Sequence, residues 1–312
     1  MKRVDIIVPC FNEGDVIELF FNKTNGIVSK IEGCRFEFIF VDDGSSDDTA
    51  VKLKKFSDVY DYVKYISFSR NFGKEAAMYA GLKNSTGDYC VILDSDLQHP
   101  PELIEDMLKK IDEGYDCCAA NRATRKGDPF LRTFLTRRFY RFINKISEVN
   151  MPDGAGDFRM MSRKMVNAVV AMSEVQRFSK GIFSWVGFNT AWIDFENVER
   201  AAGNTKWSFW KLFMYALDGI TAFSTAPLKL ASILGSIISL SSFVYGIWVV
   251  FKTVFYGADV PGYASTIILI LFIGGIIILS LGILGEYVAK IYMEVKRRPI
   301  YIIKDTNIEK YE

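Results

Sequence analysis

The chain of 312 residues contains a single histidine, His99, and this scarcity excludes any site built from several imidazoles. Its five cysteines, Cys10, Cys34, Cys90, Cys117 and Cys118, have no paired metal-ligand spacing. All but Cys34 lie in apolar stretches, so they read as small buried hydrophobes of a reducing compartment. Net charge is nearly absent too. With 38 Lys and Arg against 37 Asp and Glu, the formal charge is +1, and no overall field draws the chain to nucleic acid. Neither a Gly-x-Gly-x-x-Gly after a strand nor a Gly-x-x-x-x-Gly-Lys-Ser/Thr is present, which argues against a dinucleotide dehydrogenase and a P-loop enzyme. The first apolar run is short and broken by Asp5 and Pro9, so it does not read as a secretory signal.

Apolar runs alternate with helix-like stretches. Residues 4–10, 36–41, 63–68, 89–93 and 115–120 read as strands, and 16–29, 48–56, 74–83 and 102–112 as the helices between them. This alternation predicts an α/β fold, a mainly parallel sheet with helices on both faces. A polar cluster follows each of the first four strands. They are Pro9-Cys10-Phe11-Asn12-Glu13, Asp42-Asp43-Gly44-Ser45-Ser46-Asp47, Ser69-Arg70-Asn71-Phe72-Gly73-Lys74 and Asp94-Ser95-Asp96-Leu97-Gln98-His99. Open α/β sheets bind ligands at the carboxyl ends of their strands, so four converging clusters mark a polar site. Asp94 and Asp96 repel one another unless a cation lies between them, and a Mg²⁺ or Mn²⁺ ion shared with substrate phosphates would relieve that repulsion. Taken alone, an Asp-x-Asp is common enough to favour a solvated acidic turn, and the converging clusters decide against it. Pro100 and Pro101 suit a helix start, and His99 reads as a surface residue of that turn.

Residues 230–251 and 264–284 contain no ionised side chain, and about 20 apolar residues suffice to cross a bilayer. Joined by a short loop with Gly257, Pro261 and Gly262, they predict an antiparallel membrane hairpin. Lys290, Lys296, Arg297 and Arg298 crowd the far end of the second span, whereas the connecting loop has only Lys252 near its start. The positive-inside tendency then puts both termini and the N-terminal domain in the cytoplasm of a multi-pass protein of the plasma (inner) membrane.

The motifs together resemble the family-two glycosyltransferases of GT-A fold, and more narrowly the polyprenyl-phosphate sugar transferases, with the bactoprenol glucosyltransferases nearest and dolichyl-phosphate mannose synthase further off. The resemblance runs from Val8-Pro9…Asn12-Glu13 and Val41-Asp42-Asp43-Gly44-Ser45, through Ser69 to Glu75 and Asp94-Ser95-Asp96-Leu97-Gln98, to Ala155-Gly156-Asp157-Phe158-Arg159. It continues with Arg177-Phe178-Ser179-Lys180-Gly181, Trp185-Val186-Gly187-Phe188, Gly203-Asn204-Thr205-Lys206-Trp207, Gly282-Ile283-Leu284-Gly285-Glu286-Tyr287 and Lys296-Arg297-Arg298-Pro299. It implies a cytoplasmic GT-A domain over 1–205, an interfacial helix over 206–228, the hairpin over 229–286 and a cytoplasmic tail over 287–312. It also implies transfer of one sugar, most simply glucose from UDP-glucose, to polyprenyl phosphate with inversion, for envelope glycan modification.

By the same resemblance Pro9, Glu13, Val41 and Asp43 line the nucleotide pocket, and Asp94, Ser95, Asp96 and Gln98 meet the donor diphosphate, with Mg²⁺ or Mn²⁺ on Asp94 and Asp96. Asp157 takes the position of the proposed catalytic base, although Asp153-Gly154-Ala155-Gly156-Asp157 is also good turn chemistry. Arg122 contacts donor or acceptor phosphate. Arg125, Arg159, Arg177 and Lys180 join it as phosphate-holding candidates, because guanidinium in particular matches phosphate geometry. A phosphate monoester is mostly a dianion at neutral pH, so Asp157 is expected to orient the acceptor more than to remove a proton.

Residues 130–147 repeat Leu131, Phe134, Leu135, Phe139, Phe142, Ile143 and Ile146 at helical spacing among Arg132, Arg137, Arg138, Arg141 and Lys145, the pattern of a basic helix at a lipid surface. The same pattern also fits a helix packed on the sheet. Trp207, Trp210, Phe213 and Met214 suggest a second interfacial helix. The expected partners are a UDP-sugar, polyprenyl phosphate and the bilayer; glycines in the second span leave a homo-oligomer open. Two other readings stand beside this one: a processive polysaccharide synthase, which shares the early motifs, and a catalytically silent, membrane-anchored nucleotide-sugar binder.

Overall fold

The computed structural model describes residues 1–122, 155–195, 221, 224–257 and 262–309. The basic stretch at 130–147, Arg125, and Trp207, Trp210, Phe213 and Met214 lie outside them. Among the described residues eight strands form one sheet in the order β7-β5-β6-β4-β1-β2-β3-β8. They are β1 (Lys2–Cys10), β2 (Cys34–Asp42), β3 (Val63–Phe68), β4 (Tyr89–Ile92), β5 (Cys117–Arg122), β6 (Ala155–Ser162), β7 (Thr190–Phe195) and β8 (Ile303–Thr306). The expected α/β architecture and its first five strands are borne out. The pairs β1–β2, β1–β4, β2–β3 and β5–β7 run parallel, while β6 is antiparallel to both β4 and β5.

Strand β1 is buried from Val4 to Cys10, and its side chains divide by parity. Val4, Ile6 and Val8 pack with Phe20 and Phe21 of α1 (Ile17–Val28), Leu53 of α2 (Thr49–Val59) and Ile104 and Met107 of α4 (Leu103–Asp112). Ile7 faces the other layer, with Ala76, Ala77 and Ala80 of α3 (Lys74–Asn84), Met165 and Val166 of α5 (Arg163–Ala171), and Ile182 and Phe183 of α6 (Ser179–Trp185). Small residues let α3 lie close on β1, so that a Cβ at Gly81 would stand 2.3 Å from Ile7 Cγ2. Cys10, Cys90, Cys117 and Cys118 are buried and free, as expected.

Two long helices, α7 (Ala226–Tyr256) and α8 (Tyr263–Val295), carry the apolar spans, with mean hydropathies of 1.9 and 2.4 and neither apolar stretch buried in the protein. They place the chain at a membrane with a globular domain attached. Helix α8 outlasts its apolar run and reaches that domain, where the Glu294 carboxylate accepts from the Val175 N–H at 2.8 Å.

The segment after residue 287 is more than a tail. Tyr301 stacks on Phe68 with ring centroids 4.9 Å apart, and β8 pairs antiparallel with β3. Asn307 Oδ1 accepts from the Tyr65 N–H at 2.8 Å, and the Tyr65 hydroxyl donates to Asp305 at 3.0 Å. An edge strand of four residues that includes Lys304 and Asp305 has too little apolar pattern to be read from sequence. The sheet therefore takes in residues beyond 205.

Candidate active site

The polar clusters meet where the sheet presents its carboxyl edge. Pro9 and Val41 are register partners, each one residue from the end of its strand, and both are buried. Beyond them Asn12, at φ 54°, accepts from the Ser46 N–H at 2.8 Å. The Glu13 N–H donates to Thr49 Oγ1 at 2.9 Å. Asp43 is 3% exposed and accepts from the backbone N–H groups of Phe72 (2.6 Å) and Gly73 (2.9 Å), holding the loop before α3. Burial pushes its carboxyl above the usual range even though those two bonds oppose it.

Gly44 belongs to this junction. At φ +70° it lies in the left-handed region, and a Cβ there would meet the Arg70 carbonyl carbon at 2.4 Å. Gly44→Ala is expected to lose about 1–2 kcal/mol from backbone handedness and more from a collision with main chain that no rotamer relieves. Gly33, at φ +78° with open space around it, gives the comparison. Thermal unfolding of the full chain in detergent should show the midpoint falling further for Gly44→Ala than for Gly33→Ala.

Strand β4 delivers Asp94 and Asp96. Ser95 between them is buried, and the Gln98 N–H donates to Asp96 Oδ1 at 3.1 Å. Leu97 stands at φ 58°, an unusual backbone for a branched side chain and a place where strain is stored. The antiparallel partner β6 sets Ile92 opposite Arg159. Carrying that register two residues further brings Asp157 across from Asp94. Asp157 thus sits on a strand, and the turn reading of this segment does not hold for the residues from Ala155 onward.

Between the two acids lies Lys74, the first residue of α3. Its Nζ donates to Asp94 Oδ2 at 2.9 Å and to Asp157 Oδ2 at 2.6 Å, and lies 2.8 Å from Asp94 Oδ1. Burial alone would raise the Asp157 carboxyl, but the charges of Lys74, Lys180 and Arg159 hold it well below the ordinary carboxylate range. Burial likewise opposes the Lys74 charge, and the two carboxylates outweigh it, so its ammonium titrates above the usual range.

His99 is a correction to the surface assignment. Its ring packs between Phe158 and Phe195, with both centroid distances 5.4 Å, and Nδ1 approaches Asp94 Oδ2 at 4.0 Å. Burial lowers its pKa despite the neighbouring acids, which favours the neutral ring. Two flanking phenylalanines from β6 and β7, distant in sequence, supply that environment.

The phosphate-holding candidates separate. Arg159, 4% exposed, donates from Nη2 to the Gly156 carbonyl at 2.9 Å and stacks over Phe183 at 3.9 Å. Arg177, 9% exposed, lies over Tyr79 at 4.4 Å and donates to the carbonyls of Met172 and Val169. Lys180, half-buried, acts on Asp157 through its charge. Arg122 ends β5, paired with Phe195; its side chain, like all of Arg125, lies outside the described residues.

Glu75, beside Lys74, accepts from the Ser179 N–H at 3.0 Å and from its hydroxyl, fastening the start of α6 and with it Lys180. Burial, aided by the Asp157 charge, pushes its carboxyl up to about 7. A carboxyl raised above its unfolded value of 4.5 contributes stability that is full below that pH and is lost as pH climbs through about 7. Unfolding midpoints between pH 4.5 and 8 should therefore decline more steeply for the wild type than for Glu75→Gln, which keeps an acceptor for Ser179 without the charge.

Neither Lys74 nor Glu75 was assigned a role from sequence, although both stand in the matched Ser69-to-Glu75 run. The available signal was a lysine at a helix start on the ligand-binding edge. Among the described residues no group of three or more His, Cys, Asp or Glu is placed to hold a metal. Asp94 and Asp96 nonetheless fit a hard divalent ion, since such ions are commonly held by one or two carboxylates plus substrate phosphates. Asp94 Oδ1 is buried and meets only the Lys74 ammonium, at 2.8 Å, so the protein already sets a cation against it.

Residues 5–170 match the family model for glycosyl transferase family 2, and residues 226–291 match the GtrB C-terminal hairpin. CsbB of Bacillus subtilis (strain 168), named as a glycosyltransferase, is 46% identical over 305 residues, which is 98% of this chain and 92% of its own. A prophage bactoprenol glucosyl transferase homolog of Escherichia coli (strain K12) is 40% identical over 97% of this chain and 98% of its own. Among solved structures, glucosyl-3-phosphoglycerate synthase from Mycobacterium tuberculosis, with Mn²⁺ and UDP-glucose, aligns with 70% of this chain and 77% of its own at TM-score 0.45 and 18% identity. At that distance the likeness says nothing of the site.

Proposed function

The chain belongs to glycosyl transferase family 2 and is a membrane-associated glycosyltransferase, and from that premise we propose that it transfers one glucose from UDP-glucose to polyprenyl phosphate at the cytoplasmic face of the membrane. The single observation that carries this reading is the cluster of Asp94, Asp157 and Lys74 on a domain whose sheet is completed by the strand returning from the second membrane helix. Relatives of near-equal length named as bactoprenol glucosyl transferases support the donor and the acceptor.

In the proposed reaction an oxygen of the acceptor phosphate forms a bond to the anomeric carbon while the bond from that carbon to the donor's β-phosphate oxygen breaks. UDP departs with the electron pair, and attack from the opposite face inverts the carbon. The acceptor, with a second pKa near 6, is already mostly a dianion and surrenders no proton. Asp157, held ionised by three cations, then orients the acceptor and the cationic groups around it. A Mg²⁺ or Mn²⁺ ion, when held by Asp94 and Asp96, supplies positive charge against the leaving diphosphate.

Pro9, Glu13, Val41 and Asp43 are assigned to the nucleotide pocket, as are Ser95 and Gln98 beside the acids. Of the phosphate-holding set, Lys180 is the best placed of the described side chains, because Arg159 and Arg177 already bond backbone carbonyls. The catalytic unit spans 1–205 together with β8, followed by an interfacial stretch at 206–228 and the spans. Because β8 pairs with β3, the chain beyond α8 shares a side of the membrane with the catalytic domain, and Lys290, Lys296, Arg297 and Arg298 make that side cytoplasmic.

Membranes carrying the protein, given radiolabelled UDP-glucose, UDP-galactose or UDP-N-acetylglucosamine with undecaprenyl phosphate, should yield a lipid-extractable product of one glucose. A growing polymer would favour a processive synthase, and incorporation of a different sugar would overturn the donor.

A further inference from the structure

The place between Asp94 and Asp157, next to the proposed metal ligands, is taken by a cation of the protein itself. Lys74 Nζ touches both oxygens of Asp94 at 2.8 and 2.9 Å and Asp157 at 2.6 Å. An ammonium this close neutralises the carboxylate that a divalent ion would need, and two cations on one carboxylate repel. The lysine is not locked in. Its side chain remains 43% accessible, on a four-carbon stem at the start of a helix, so it can leave Asp94 by rotation of its own bonds. It leaves at low cost only where another anion receives it, and in this cleft a nucleoside diphosphate is that anion.

We propose that Lys74 is a positioning residue that stands in for the metal in the donor-free protein, so that a divalent ion enters Asp94 in exchange for the ammonium and together with a nucleoside diphosphate. The inference rests on the proposed metal role of Asp94. It makes metal and donor binding mutually dependent: the ion alone competes with a built-in charge, whereas the ion with the diphosphate offers that charge a new partner. It also keeps Asp94 and Asp157 from repelling one another while the site waits for substrate.

The test is Mn²⁺ binding to the full chain in detergent, followed by electron paramagnetic resonance or calorimetry, with and without UDP and with no acceptor present. Wild type should bind Mn²⁺ weakly alone and at least tenfold more tightly with UDP. Lys74→Met should bind Mn²⁺ alone at least tenfold more tightly than wild type and gain less from UDP. Lys74→Arg keeps the charge and should stay near wild type, which also covers the case in which the methionine variant fails to fold. Unchanged or weaker Mn²⁺ binding in Lys74→Met, or tighter binding in Lys74→Arg, overturns the inference. Asp94→Asn separates the two levels. If Mn²⁺ binding in the presence of UDP does not depend on Asp94, the metal reading fails and this inference with it. If it does depend on Asp94 while Lys74→Met brings no tightening, only this inference fails.

Discussion

Replacing Asp94 with Asn is expected to reduce sugar transfer about a thousandfold while leaving the protein folded. The magnitude follows from what is removed: a preorganised charge acting where negative charge develops is worth about 10²–10³ in rate, and loss of a metal ligand adds weaker ion binding. The fold should survive because Asp94 stands beyond the end of β4, and its side chain, 22% accessible, contributes nothing to either core layer. Lys74 keeps Asp157 as a partner, so the substitution strands no cation. Asp96→Asn should act in the same direction. Turnover of UDP-glucose in the presence of undecaprenyl phosphate, measured alongside a thermal midpoint, checks both halves of the expectation. Activity within tenfold of wild type would mean that the acids do not serve the donor. Excess Mn²⁺ should restore part of the loss if the defect is in ion affinity, and none if the carboxylate is needed for the chemical step.

Much of this site was legible because its scaffold announces itself. Parallel strands covered on both faces must be continuously apolar, and the stretches at 4–10, 63–68 and 89–93 are nearly so; the structure ends each within two residues of the expected place. The acids at their ends were then fixed by chain direction alone. Three features were hidden for physical reasons. Strand β6 begins Ala155-Gly156-Asp157, a composition suited to turns, and becomes a strand only because β4 and β5 offer it two ladders of backbone partners. The role of Lys74 depends on the antiparallel register that sets Asp157 against Asp94 and so within reach of Lys74, 83 residues away in sequence, which no local pattern encodes. His99 reads as a loop residue until Phe158 and Phe195, from two other strands, close around it. The arginines show the converse. Arg159 and Arg177 belong to matched motifs, yet both guanidiniums are buried against an aromatic ring and bonded to carbonyls, so sequence matching could not tell a ligand-facing arginine from one that stitches the fold.

Asp157→Asn should lower kcat about a hundredfold or more, and raising the pH to 9 should not recover it. Were Asp157 a proton acceptor, its low affinity for protons would be a handicap: Brønsted behaviour favours a base whose pKa lies near the working pH, and three cations hold this one far beneath it. The acceptor phosphate has no need of a base above its second pKa of about 6. What the carboxylate supplies is a fixed negative charge that holds the Lys74 ammonium at 2.6 Å and offsets the charges of Lys180 and Arg159. The loss should therefore fall on kcat and on acceptor affinity together, since Lys180, the described cation best placed for the acceptor phosphate, loses the charge it faces. Stability gives an independent check. A carboxyl depressed below its unfolded value of 3.8 contributes stability that is complete above that pH and disappears as pH falls further. The wild type should thus exceed Asp157→Asn in thermal midpoint at about pH 5, and the margin should shrink below about pH 4. Full recovery of turnover at alkaline pH would instead make Asp157 a general base, with its charge incidental.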